Sequence, residues 1–213
     1  MLLNIKNYSY GATQIEDLEI DRNECIGILG NHGSGKTSML CLLQEICFKN
    51  GVSQYFVEPS VFKDTLQPYA VLRDFGIMHC KHELKKANEI IDAGARILQS
   101  NANCFRDRGI SSIECLKLEL IKVLLINPDV VFIDDIGNFI NKEGITLLNE
   151  FKKEFGKTII FTSTNVLMPE FISDRVLFME KFNISEDTEI EKLVNLKTYI
   201  NNDVKNYLEN VTF

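Results

Sequence analysis

The sequence predicts an α/β fold in which a mostly parallel β-sheet carries helices on both faces. Three observations predict it. Short continuous apolar runs, CIGIL (25–29), VVFID (130–134), which ends in acid, and TIIFTS (158–163), read as buried strands. Longer segments with near-helical apolar spacing alternate with them. Between the first such strand and the helix after it stands a glycine-rich stretch, GNHGSGKT (30–37).

The elements follow in order. LLNI, IEDLEI and CIGIL, separated by Gly11 and by Asp21-Arg22-Asn23, read as strands with a turn over 2–29. KTSMLCLLQEICFK (36–49) reads as a helix, with Gly51 just beyond as its stop. Residues 54–62 bring a short strand and a turn at Pro59, and residues 64–118 read as mostly helical. There, ELKKANEIIDAGARILQ places Leu84, Ala87, Ile90, Ile91, Ile97 and Leu98 at near-helical spacing, interrupted by Gly94. A polar loop over 100–110 contains Arg106 and Arg108. A helix over about 112–126 starts at Ser111 or Ser112 as N-cap, carries Glu114 in its first turn and stops at Asn127-Pro128. VVFI then leads into Asp134, a helix over 142–155 ends at Gly156, and TIIFTS and RVLFME (175–180) are further buried strands. Residues 190–213 read as one or two C-terminal helices. Without repeats or a long linker, 1–213 is expected to form a single domain.

Composition narrows the function. With 213 residues, 45% hydrophobic and 25% charged, the chain can bury a sizeable core as an ordinary globular protein. A net charge of −7 argues against a surface that coats nucleic acid, so no nucleic-acid partner is expected. No apolar run is long enough to span a bilayer, and MLLNIKNYSYG is too short and polar for a signal peptide. A cytoplasmic location follows. Cys25, Cys41, Cys47, Cys80, Cys104 and Cys115 show no CxxC spacing and read as reduced, mostly buried thiols. His79, Cys80 and His82 lack further ligands at metal-site spacing and read as a polar helix edge.

The chemistry is concentrated in GNHGSGKT and in one acidic pair. Gly30, Gly33 and Gly35 let successive N–H groups face inward around a phosphate, with Asn31, His32 and Ser34 between them. Lys36 can reach the β- and γ-phosphates, the Thr37 hydroxyl can ligate Mg²⁺, and Ser38 continues the helix start. Asp134 ends an apolar strand that a parallel sheet brings to the same edge, which suits a Mg²⁺-coordinating carboxylate. Asp135 follows and could polarise an attacking water.

On these residues the chain resembles the nucleotide-binding domain of ABC (ATP-binding cassette) ATPases over almost its whole length. GNHGSGKT resembles the Walker A motif. VVFIDD, led in by LLINPD, resembles Walker B, and Ser173-Asp174-Arg175-Val176-Leu177-Phe178 resembles the family's DR-strand. Tyr8-Ser9-Tyr10-Gly11 resembles its N-terminal aromatic motif, which implies that Tyr10 stacks on adenine. The resemblance implies a P-loop NTPase with an N-terminal antiparallel β portion and a helical subdomain at about 64–118. It also implies ATP and Mg²⁺ as ligands and two domains closing head to tail on two ATP molecules.

Departures from the family pattern weaken hydrolysis. Ile110-Ser111-Ser112-Ile113-Glu114 stands where the family has LSGGQ, keeping Ser111 but neither glycine. Asp135 replaces the family's Glu, Thr164 its switch histidine, and Asn141 an aspartate. The coupling-loop glutamine falls on Glu58, counted here among the metal ligands, or on Gln67. ATP binding with slow turnover is expected, with Asp135, Lys36 and Thr164 as the catalytic set. The resemblance further implies separate integral-membrane transporter subunits, a dimer with itself or with a second ABC ATPase chain, and a peripheral place on the cytoplasmic face. The alternatives are a soluble P-loop nucleoside or nucleotide kinase, disfavoured by the lack of an arginine-rich lid, and a nucleotide-gated module without transport.

Overall fold

The computed structural model describes residues 1–58, 62, 67–100, 110–138, 142–164 and 172–189. Its strands are β1 (Leu3–Tyr10), β2 (Thr13–Ile20), β3 (Cys25–Leu29), β4 (Gln54–Val57), β5 (Val130–Ile133), β6 (Thr158–Ser163), β7 (Arg175–Glu180) and β8 (Asn183–Glu189). Its helices are α1 (Lys36–Lys49), α2 (Pro68–Met78), α3 (Leu84–Ile97), α4 (Ser112–Ile126) and α5 (Lys142–Phe155), with a 3-10 turn at Ile136–Asn138. The strands form one sheet in the order β1-β2-β8-β7-β3-β6-β5-β4.

Strands β7, β3, β6, β5 and β4 run parallel, while β1–β2 and β7–β8 are antiparallel hairpins. Every residue of β3, β5 and β6 is buried, as a sheet covered on both faces requires. The strand period of two sorts these residues between two cores. Ile26, Ile28, Phe132 and Ile160 meet α1 residues such as Leu40 and Leu43 on one face. Cys25, Val131, Ile133, Ile159 and Phe161 meet the layer of α4 and α5 on the other.

The helical region between β4 and β5 packs through two glycines. A Cβ on Gly76 of α2 would stand 3.2 Å from that of Ala87, and one on Gly94 of α3 would stand 3.0–3.1 Å from Leu124 and Ile121. Gly94 costs about 1 kcal/mol of helix propensity but admits α4 at close range. Helix α4 is capped by Ser111, whose hydroxyl accepts the Glu114 N–H at 3.3 Å, and it ends at Asn127 in a left-handed conformation.

Charged groups also enter this interface. Glu119 is fully buried and accepts from the Tyr55 hydroxyl at 2.8 Å, the Glu58 N–H at 3.3 Å and Lys122 at 2.9 Å. The Lys122 ammonium stands 5.0–5.5 Å from the ring centres of Tyr55, Phe62 and Phe75. Burial, and then the Glu119 carboxylate, hold the Tyr55 phenol well above its ordinary pKa.

The elements α1, α4, α5, β3, β6 and β7 have the bounds the sequence predicts, and β5 stops one residue short of the expected VVFID, before Asp134. Strand β1 runs further than LLNI, through Tyr10, and the polar strand β8 has no counterpart among the sequence expectations. Cys25, Cys47 and Cys115 are buried free thiols and Cys80 is half-buried, whereas Cys41 is exposed, contrary to the general expectation of burial. The terminal helices expected over 190–213, the Arg106–Arg108 pair, Cys104 and Asn141 lie outside the described residues.

Candidate nucleotide site

Parallel strands bring their carboxyl ends to one edge, and the phosphate-loop residues lie at the end of β3 on that edge. The loop is shaped by close approach. A Cβ on Gly30 would lie 2.5 Å from the Met179 carbonyl and 2.5 Å from Ser34 Oγ. Gly35 precedes α1 with φ of 101°, a left-handed conformation that favours glycine, and its Cβ would meet the Phe182 ring at 2.7 Å. The Ser34 N–H donates to the Asn31 carbonyl at 3.2 Å, and Ser34 Oγ is buried with no hydrogen-bond partner among the described residues.

Lys36 folds back over this loop, donating to the Gly30 and Asn31 carbonyls at 2.8 Å each. Partial burial pulls its pKa below the ordinary lysine value, and the nearby Asp135 and Asp134 carboxylates oppose that shift. The Thr37 hydroxyl donates to the Asp134 carboxylate at 3.0–3.2 Å. Asp134 also accepts from Thr162 Oγ1 at 2.5 Å, and that same oxygen accepts the Asp135 N–H at 2.7 Å. Thr162, 1% exposed, thus fixes both acids from the neighbouring strand β6.

These groups line a cleft of about 340 Å³ formed by His32, Gly33, Gly35, Lys36, Thr37, Ser38, Asp134, Asp135, Thr162, Thr164 and Phe182. The structure therefore brings together the loop, the acidic pair and Thr164. Tyr10 is 62% exposed at the end of β1 and outside this lining. Glu58, exposed after β4, Gln67 at the start of α2, and Ser111 at the start of α4 are also outside it. The Glu114 carboxylate turns inward to Ser100 Oγ at 2.9 Å and Lys117 at 3.1 Å.

Two lining residues were not singled out by sequence reasoning. Thr162 carries a weak signal, one of three hydroxyl residues, with Thr158 and Ser163, in a fully buried strand. Phe182 carries none, because the Lys181-Phe182 turn lacks the glycine or asparagine expected of a two-residue hairpin. Among the described residues no group of three or more His, Cys, Asp or Glu side chains is placed to hold a metal ion. His82 instead meets the Leu125 carbonyl through Nε2 at 2.7 Å. The donors beside the loop, one carboxylate and one hydroxyl, are hard oxygens that suit Mg²⁺ completed by phosphate and water.

The chain matches no protein-family model. It is 26% identical to an uncharacterized ABC transporter ATP-binding protein of Methanocaldococcus jannaschii, over 97% of this chain and 82% of that one. It is 24% identical to ATP-binding protein Uup of Buchnera aphidicola over 92% of this chain, and it spans 36% of that protein's length. It is 23% identical to the methionine import ATP-binding protein MetN of Clostridioides difficile, over 90% of this chain and 70% of that one. Among solved structures, CbiO1 of Clostridium perfringens, part of an ABC transporter complex, superposes with a TM-score of 0.72 at 18% identity, covering 92% of this chain and 91% of that one. A dimeric ATP-binding cassette solved after hydrolysis with ADP and phosphate superposes with a TM-score of 0.62 at 16% identity, covering 89% and 97%. The sheet order, the motif order and these relatives agree: the chain is similar in sequence to ABC transporter ATP-binding proteins and shares the fold of ATP-binding cassette (ABC) nucleotide-binding domains.

Proposed function

We propose that this chain binds Mg-ATP and hydrolyses it slowly as the ATP-binding subunit of a transporter whose membrane-spanning parts are separate polypeptides. The observation that carries this reading is the convergence of Lys36, the Thr37 hydroxyl and the Asp134 carboxylate on one cleft. The transport half is supported by relatives named as transporter and import ATP-binding proteins. No helix among the described residues is long and apolar enough to cross a membrane, so a spanning partner suits these residues.

In this reading the loop N–H groups and the start of α1 cradle the phosphates, and Lys36 exchanges its bonds to the Gly30 and Asn31 carbonyls for phosphate oxygens. Thr37 and Asp134 would hold Mg²⁺, which would supply charge neutralisation to the phosphates. Glu58 is a third candidate ligand, reaching the site only after a rearrangement, because it lies outside the cleft. Asp135 orients the attacking water but is one methylene shorter than glutamate, and Thr164 offers a hydroxyl to the γ-phosphate. Ser111, with Ser112 and Ile113 beside it, serves a partner chain's nucleotide rather than its own. The dimeric cassette it resembles supports a dimer, with itself or with a second ABC ATPase chain that is motif-complete. The site of action is then the cytoplasmic face of the membrane, reached through the partner.

The test is affinity purification of the full chain from native membranes in mild detergent. Recovery of a membrane-spanning protein, with or without a second ABC ATPase, supports transport. A soluble partner alone overturns it and favours a nucleotide-gated interaction module. One observation favours that second reading: the relative Uup is named only as an ATP-binding protein, and this chain spans about a third of its length.

A further inference from the structure

We infer that Phe182 is the base-side wall of the nucleotide site, an aromatic face that meets the base of a bound nucleoside triphosphate. The inference rests on the nucleotide reading above. Three observations carry it.

The first is backbone conformation. Phe182 has φ of 68° and Lys181 has φ of 47°, so both residues of the β7–β8 turn are left-handed. Glycine or asparagine serves such a turn without strain, whereas a bulky side chain there is an outlier. The turn's link to the phosphate loop is a backbone bond, from the Phe182 N–H to the Ser34 carbonyl at 2.9 Å. A glycine would make the same bond at lower cost. Bracing the loop therefore does not account for the ring.

The second is where the ring lies. It packs against Gly35 at the start of α1, is 37% exposed, and is the only large apolar side chain among the described residues lining the cleft. Every other lining group is glycine, polar or charged, and suits phosphate, metal or water. An exposed ring pressed into a phosphate cleft adds little to the core, but it offers a π-face to a base.

The third is direction. In the sheet order β8-β7-β3-β6-β5, the phosphate loop follows β3, the acids follow β5, and Phe182 follows β7 on the opposite side of the loop. A triphosphate whose terminal phosphate lies at Asp134 and Asp135 points its other end toward β7. Asn183, next to Phe182, pairs with Gln14 of β2, and the neighbouring Thr13 pairs with Tyr10 of β1. Tyr10 and Phe182 thus stand on the same sheet edge, about two strand spacings or about 10 Å apart. The base would lie toward this pair, with Phe182 on the phosphate side.

The experiment compares ATP with inorganic tripolyphosphate, which has the phosphates but no base, by titration calorimetry in Mg²⁺ with the full chain. The expected result for Phe182→Ala is an about tenfold loss in ATP affinity, in the range of one lost base–aromatic stack. Tripolyphosphate affinity should stay within twofold, and Phe182→Tyr should retain ATP affinity. Phe182→Gly, which suits the left-handed turn, should give the same selective loss with no fall in melting temperature, separating it from misfolding. Equal losses for both ligands would mean that the ring only shapes the loop, and unchanged ATP affinity would mean that it meets no base. Either result overturns the inference and leaves the nucleotide reading standing. A wild-type chain that binds neither ligand overturns both.

Discussion

Thr162→Val should loosen the acidic pair and lower the affinity for Mg²⁺. The substitution keeps the side-chain shape in β6 and replaces one hydroxyl by a methyl. Two hydrogen bonds go with it: one to the Asp135 N–H at 2.7 Å and one to the Asp134 carboxylate at 2.5 Å. A neutral bond contributes about 1 kcal/mol net and one to a charged group about 2. The added methyl returns about 0.8 kcal/mol because Thr162 is 1% exposed. The net loss is about 2 kcal/mol, a fall of about 4–8 °C in melting temperature for a domain of this size. With Asp134 held by Thr37 alone, the midpoint of Mg²⁺-dependent ATP binding should rise about tenfold, while metal-free nucleotide binding stays level. Thr162→Ser keeps the hydroxyl and should keep the Mg²⁺ midpoint. Scanning calorimetry and Mg²⁺ titrations of ATP binding give both numbers. A valine variant within 0.5 kcal/mol of the wild type and with an unshifted Mg²⁺ midpoint would refute the assigned role.

Gly35→Ala should abolish ATP binding and destabilise the chain by about 1–3 kcal/mol, because it adds left-handed strain to a clash with the Phe182 ring. Gly33→Ala, with nothing within 4 Å of its Cβ, should suffer the strain alone and lose less in thermal melts. Asp135→Glu should raise ATP turnover about tenfold in a phosphate-release assay by restoring reach to the water, and no change would mean that reach is not limiting. Burial pushes the Cys25 and Cys47 thiols up to about 12, so the folded state favours their neutral form. That stabilisation is fully present below the unfolded thiol pKa and is lost as pH rises from about 9 toward 12, which denaturation curves across that window would detect. At pH 8, alkylation should label the exposed Cys41 at once and these two only after unfolding.

Much of the fold is legible because burial on both faces leaves a strong mark. CIGIL, VVFID and TIIFTS read as buried central strands, and the structure gives the first and third these bounds and ends the second just before Asp134. Helix α4 announces both ends through Ser111 and Asn127. Strand β8 was not legible, since NISEDTE is polar and mostly half-exposed, and its pairing with β7 follows a turn without the usual residues. The site divides in the same way. The phosphate loop is contiguous and local, so its chemistry is readable directly. Thr162 and Phe182 join it only through sheet order, which single residues in a sequence do not encode. Ser111 and Glu58 lie outside the cleft of one chain, so the roles proposed for them depend on a second chain or on motion.

The buried Glu119 has a consequence for how the helical layer can move. Its carboxylate joins the backbone at the end of β4 to Lys122 of the same α4 that Ser111 caps. A slide of α4 over the sheet carries Glu119 and Lys122 together, and must either drag the end of β4 along or break the buried bonds from the Tyr55 hydroxyl and the Glu58 N–H. Intermediate positions are the expensive ones, so the joint behaves as a detent: it favours discrete seats over a continuous glide, and a force applied at one end of α4 arrives at Glu58 as a step.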